Sequence, residues 1–246
     1  MNDQPLITYF AVIGLTTRDL QGLGDAERKF LLASSFIMND LRFHWHLMIR
    51  SPIDEANEYV RAMQFCRWLW CSRKLAAIIY EADNALGKFI PILPAARSTS
   101  DESPRISKEN RKSKFKAIAE TLRNKSAYHY EFEALGSNLS DFADNALHRY
   151  YGHEQSGNSI SELGEQIFTL PLIVDTTTNN DTREFDVWLK ACSGSLMKFC
   201  EIVTAKVLRE AFPEKVYQFQ QFAVANEGKP KDHRWPLFLV PDGNQK

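Results

Sequence analysis

No long apolar run, no C-x-x-C pair and no glycine-rich phosphate loop occurs in this chain of 246 residues. The absence of G-x-x-x-x-G-K-[ST], of a dinucleotide-binding glycine fingerprint and of a G-x-S-x-G elbow sets aside the common nucleotide-hydrolysing, dinucleotide-binding and serine-hydrolase motifs. The four cysteines, Cys66, Cys71, Cys192 and Cys200, lie in segments that read as helix. Buried free thiols in a reducing cytosol are expected. The apolar stretch Leu6–Leu15 contains Thr8 and Tyr9 and has no basic flank. It is too short to span a bilayer, so a cytoplasmic protein without a membrane partner is expected. The formal net charge is −1, which gives no global argument for nucleic-acid or membrane binding. There is neither an internal repeat nor a low-complexity tract.

What is present suits one large helical domain over residues 1–246, with charged (25%) and hydrophobic (44%) fractions near globular averages. Residues 1–23 hold a short buried strand or an extended segment around Ile7–Ile13. Asp25 suits an N-cap, and Phe30, Ile37, Leu41 and Met48 recur at helical intervals to about Arg50. A second helix is expected from Pro52–Asp54 to Leu86, with Gly87 as its stop. Its apolar face is wide, so the Trp68/Trp70 neighbourhood reads as core. Residues 91–106, with Pro91, Pro94, Pro104 and Ser98–Ser100, read as an exposed loop. A third helix is expected over Ser107–Leu122. A fourth carries Tyr128, Phe132, Leu135, Leu139, Phe142 and Ala146 at 4-3-4-3-4 spacing. Residues 148–180 read as irregular, with Pro171 arguing against a regular element. A long helix follows over Asp181–Ala211, then an irregular extension over 213–246. The expected fold is all-α, an up-and-down helical bundle with that irregular C-terminal extension.

Chemistry concentrates in Leu122-Arg123-Asn124-Lys125-Ser126-Ala127-Tyr128-His129-Tyr130. Arg123 can fork onto a phosphate, Asn124 can orient a donor or acceptor, and His129 can move a proton near neutral pH. On one ideal helix Arg123 and His129 would point roughly 120° apart. They converge if a helix starts between them or if a second subunit supplies one of them. Lys125 shares a face with His129, and Glu133 lies one turn further on, where it would favour the protonated imidazole. From Arg105 to Lys125, eight basic side chains face two acidic ones, a local +6 in a chain of −1. Arg111, Lys112, Lys116 and Lys125 are thus candidate phosphate contacts, the bland alternative being a solvated helix.

Arg123-Asn124-Lys125-Ser126-Ala127-Tyr128-His129 resembles the R-x(4–6)-H motif of the HEPN superfamily, with five residues between arginine and histidine. A polar residue directly after the arginine, here Asn124, is a common form of that motif. The resemblance covers about residues 24–150 in helical order and seven residues in motif. It implies a compact α-helical domain and a metal-independent endoribonuclease needing no cofactor. Arg123 and His129 would be the catalytic pair and Asn124 a supporting residue. It further implies RNA as substrate, a homodimer that brings two motifs into one cleft, and a setting in phage defence or beside an antitoxin. The alternative is a non-catalytic helical module that binds RNA, a nucleotide or a protein partner.

Other constellations are weaker. His44 and His46, two apart on a helix, point to different faces, and His148, His153 and Glu154 lack a metal-site pattern. Gly194, between Ser193 and Ser195, is expected to permit close packing. Glu162 and Glu165 read as ordinary surface acids.

Overall fold

The computed structural model describes residues 6–49, 58–102, 114–127, 150–151, 160–161, 163, 165–173, 182–215 and 218–224. Their body is an all-α helical bundle, as the hydrophobic periodicity predicts, with two short antiparallel strand pairs added to it.

Strand β1 (Leu6–Val12) leads to the short helix α1 (Thr17–Gly22). A reciprocal cap starts α1. The Asp19 N–H donates to Thr16 Oγ1 at 3.2 Å, and the Thr16 N–H donates to Asp19 Oδ2 at 2.6 Å. Helix α2 (Asp25–Ile49) follows. The expected N-cap Asp25 is instead its first residue: Gly24 supplies the carbonyl that accepts from the Arg28 N–H at 3.0 Å. Asp25 instead pairs with Arg28 at 3.1 Å and Lys29 at 2.7 Å.

Helix α3 (Glu58–Gly87) ends at the glycine expected to stop it, while its predicted start at Pro52–Asp54 lies outside the described residues. The loop expected over 91–106 is corrected by α4 (Pro94–Glu102), with 103–106 outside the described residues. Pro94 occupies the first helical position, where its missing N–H costs nothing. The Ser98 and Thr99 hydroxyls then donate back to the Ala95 carbonyl, at 3.2 and 2.8 Å.

Helix α5 (Lys114–Leu122) is the described part of the third predicted helix and runs directly into a π-helical turn, Arg123–Ala127. Residues 107–113 and the amphipathic stripe of 128–146 lie outside the described residues. In the stretch expected to be irregular, β2 (Tyr150–Tyr151) pairs with β3 (Ile160–Ser161). A second π turn (Glu165–Thr169) continues into the single helical turn α6 (Leu170–Ile173). Helix α7 (Thr182–Ala211) matches its predicted span. The C-terminal stretch then supplies strand β4 (Gln218–Val224), which pairs with β1, Leu6 opposite Val224 and Val12 opposite Gln218.

The core sits where α2, α3 and α7 meet. Phe30 near the start of α2 packs edge-on to Phe89, just past α3, with centroids at 5.4 Å, and lies 6.4 Å from Phe199 of α7. At the other end of α2, Met48 accepts from the Ser72 hydroxyl at 3.6 Å. Helix α2 therefore runs antiparallel to α3 and α7. The inward face of α7 is Phe185, Leu189, Cys192, Leu196, Phe199 and Val203, all buried. Each such side chain contributes about 1.5–3 kcal/mol by leaving water. Helix α5 joins through Phe115, whose ring lies 5.5 Å from Phe185 and 5.8 Å from Trp188. All four cysteines are free thiols, three of them buried and Cys66 partly exposed. Burial pushes Cys192 and Cys200 up to about 12. Among the described residues no helix is long and apolar enough to cross a membrane.

Candidate Arg123 site

Leu122 is fully buried and fixes the end of α5 against α3. The chain then widens into the π turn Arg123–Ala127, where Asn124 and Ser126 are weak helix formers. Arg123 leaves this turn half-buried, with its side chain 34% exposed. Its Nε donates to the Glu81 carboxylate of α3, and its Nη1 donates to Asn124 Oδ1 at 2.9 Å. The guanidinium plane is thus held from two sides, and its second terminal nitrogen makes no hydrogen bond among the described residues. Asn124 thus has its side-chain oxygen turned to Arg123.

Two described lysines of the basic lead-in meet acids. Lys116 pairs with Asp83 of α3 at 3.6 Å, Lys114 with Glu184 of α7 at 3.5 Å, and Lys125 is engaged by neighbours as well. Between the pairs, the Tyr80 hydroxyl donates to Glu120 Oε1 at 3.0 Å. That carboxylate, more than burial, holds the Tyr80 pKa above its ordinary value. Sequence reasoning missed Glu81 and Asp83. They flank buried Ala82 on α3, so both reach the α5 side, and this was visible only as acids on either side of a small core residue. Arg111, Lys112 and His129 lie outside the described residues. The structure therefore brings together Arg123 and Asn124, with Lys116 a further step along the same α3/α5 seam.

A second charged cluster corrects the reading of Glu165. Its Oε1 accepts from Arg73 at 2.6 Å, and its Oε2 accepts from Thr169 Oγ1 at 2.7 Å. Arg73 is only 6% exposed and Thr169 1%, so this is a buried ion pair at the second π turn. Burial, opposed by the Arg67 charge, pushes the nearby Cys71 thiol up to about 11. Glu162, His148, His153 and Glu154 lie outside the described residues. His44 Nδ1 contacts the Asp40 carbonyl at 2.9 Å, and its ring lies 5.6 Å from Trp70. The expectation for Gly194 is also corrected: among the described residues a methyl group there would meet nothing within 4 Å, so no close approach by them requires the glycine.

Comparison of the chain with protein-family models, with curated proteins and with solved structures finds no match.

Proposed function

We propose that the protein is a cytoplasmic, metal-independent endoribonuclease of HEPN type, acting as a homodimer on RNA. The observation that supports it most is the Arg123 guanidinium, presented from a π turn and braced by Glu81 and Asn124. An arginine fixed in this way suits a phosphate, because its planar fork need not be ordered when the ligand arrives. In the proposed reaction the ribose 2′-hydroxyl attacks the adjacent phosphorus and loses its proton to His129. The bond to the 5′-oxygen breaks, that oxygen takes up a proton, and a cyclic phosphate end remains. Arg123 offsets the charge that builds on the phosphoryl oxygens. A role in phage defence, or as a toxin held by an antitoxin, belongs to the same proposal.

The test is cleavage of mixed cellular RNA with EDTA present. Arg123→Ala and His129→Ala should each lose about 10²-fold or more of the rate. An intact protein that cuts no RNA, or variants that cut at the parental rate, would overturn the reading. A second reading rests on Glu81 and Asp83, which partly neutralise Arg123 and Lys116. It makes the seam a non-catalytic surface for RNA, a nucleotide or a protein partner. RNA binding without cleavage, weakened by Arg123→Ala, would favour it.

A further inference from the structure

Strands β1 and β4 form a ribbon of their own. Among the described residues each pairs with the other and with no further strand, so each keeps one open edge. No other backbone hydrogen bond reaches either strand there, and neither lies along a helix. We propose that the open edge of β1 is an interface between two copies of this chain, the two β1 strands pairing antiparallel about a two-fold axis at Tyr9.

In an antiparallel ladder alternate residues direct both N–H and C=O to the same side. About half of the seven residues of β1 therefore aim these groups away from β4. Two strands by themselves are marginally stable in water, and a further strand satisfies the open groups. Soluble proteins guard such an edge with lysine, proline or a bulge. Strand β1 reads Leu-Ile-Thr-Tyr-Phe-Ala-Val, with neither charge nor proline. Its register against β4 runs unbroken from Leu6 to Val12, so it holds no bulge. An unguarded edge of this kind is a template for an extended chain. Ile7, Thr8, Tyr9, Phe10 and Val12 are strong strand formers, whereas β4 carries three glutamines, and this selects β1 as the paired edge.

The register names the occupant. A two-fold axis at Tyr9 places Leu6 opposite the partner's Val12, Ile7 opposite the partner's Ala11 and Thr8 opposite the partner's Phe10. All seven residues of the strand then pair. No position meets a like charge, because neither strand of the ribbon carries any. For the same reason β1 has no charge with which to select a foreign peptide, whereas a second copy always brings the matching edge. Pairing uses up both β1 edges, so the assembly closes at two copies as one four-stranded sheet, β4-β1-β1-β4. This contact needs neither Arg123 nor His129. Association and RNA cleavage are separate readouts, so either reading can fail alone.

The test is sedimentation velocity of the full chain from about 1 to 100 µM, where a monomer–dimer equilibrium is expected. Tyr9→Lys and Tyr9→Glu each set like charges against one another at the axis and should weaken the dimer about fivefold or more. Within its own chain Tyr9 stands opposite Gln221, so neither charge meets another in the ribbon. Circular dichroism should show the helices of both variants unchanged. Mixing the two variants should restore the dimer, which chains that merely failed to fold would not do. Tyr9→Cys treated with diamide should give a covalent dimer. Directly opposed antiparallel residues lie about 4.5–5.5 Å apart at Cα, within disulfide reach. Ala11→Cys, opposite the partner's Ile7, should not crosslink. A parent that stays monomeric throughout the concentration range would overturn the proposal. So would a dimer that neither charge weakens, or one that the mixture leaves unrestored.

Discussion

At the scale of single residues, Gly194 is the clearest case of a position that costs stability and returns no packing. It lies inside the 30-residue helix α7, where glycine pays the largest backbone entropy. Among the described residues nothing stands within 4 Å of where a methyl group would go. Gly194→Ala should therefore raise stability by about 0.5–1 kcal/mol, seen as a higher thermal midpoint. An unchanged or lower midpoint would mean that the glycine is needed after all. The sequence identified Gly194 as interior to a helix but could not say what faced it, because periodicity carries no information about a neighbour's surface. Arg123 shows the same limit. Its identity and Asn124 were legible, whereas Glu81 was not. An ion pair across 42 residues depends on how two helices are rotated about their axes.

At the scale of elements, α2 and α7 were legible because their apolar stripes run for many turns and their ends carry clear punctuation. Helix α4 was not. Its proline and serines read as loop by propensity, and tertiary contact decided otherwise: Thr99 is buried, and Lys206 of α7 donates to the Ser98 hydroxyl at 3.1 Å. The second π turn was equally hidden. The wide turn precedes Pro171, whose ring and missing N–H disfavour tight winding over those residues. Glu165 ties that turn to α3 through Arg73. Glu165→Ala should cost about 3 kcal/mol, because it leaves the buried guanidinium without its carboxylate. Pairing Arg73→Met with Glu165→Leu should recover most of the loss. Chemical denaturation of the two variants checks both statements, and a Glu165→Ala variant as stable as the parent would show the pair to be dispensable.

At the scale of the whole molecule, the start of the chain is fastened to the stretch after α7. Lys215 Nζ donates to Asp19 Oδ2 at 2.8 Å and to the Gly14 carbonyl at 3.2 Å. The Lys215 hydrogen bond, aided by Thr16, lowers the Asp19 pKa from 3.8 to about 2. A carboxyl depressed in the folded chain favours folding above its unfolded pKa, and that contribution disappears as pH falls through the folded one. Asp19→Asn should thus be less stable than the parent at neutral pH. The gap should close between pH 4 and pH 2, the range bounded by the two pKa values. Denaturation curves at several pH values measure it, and parallel curves would rule the linkage out.

The strand pair beside this fastening also has a mechanical side. Leu6 stands opposite Val224, and the register advances inward to Val12 opposite Gln218. A force that draws Leu6 and Val224 apart meets the ladder at its outer rung and loads one pair at a time, as a zipper opens. The ladder yields in sequence before the load reaches the helices, so β1 and β4 act as a fuse between an external pull and the bundle.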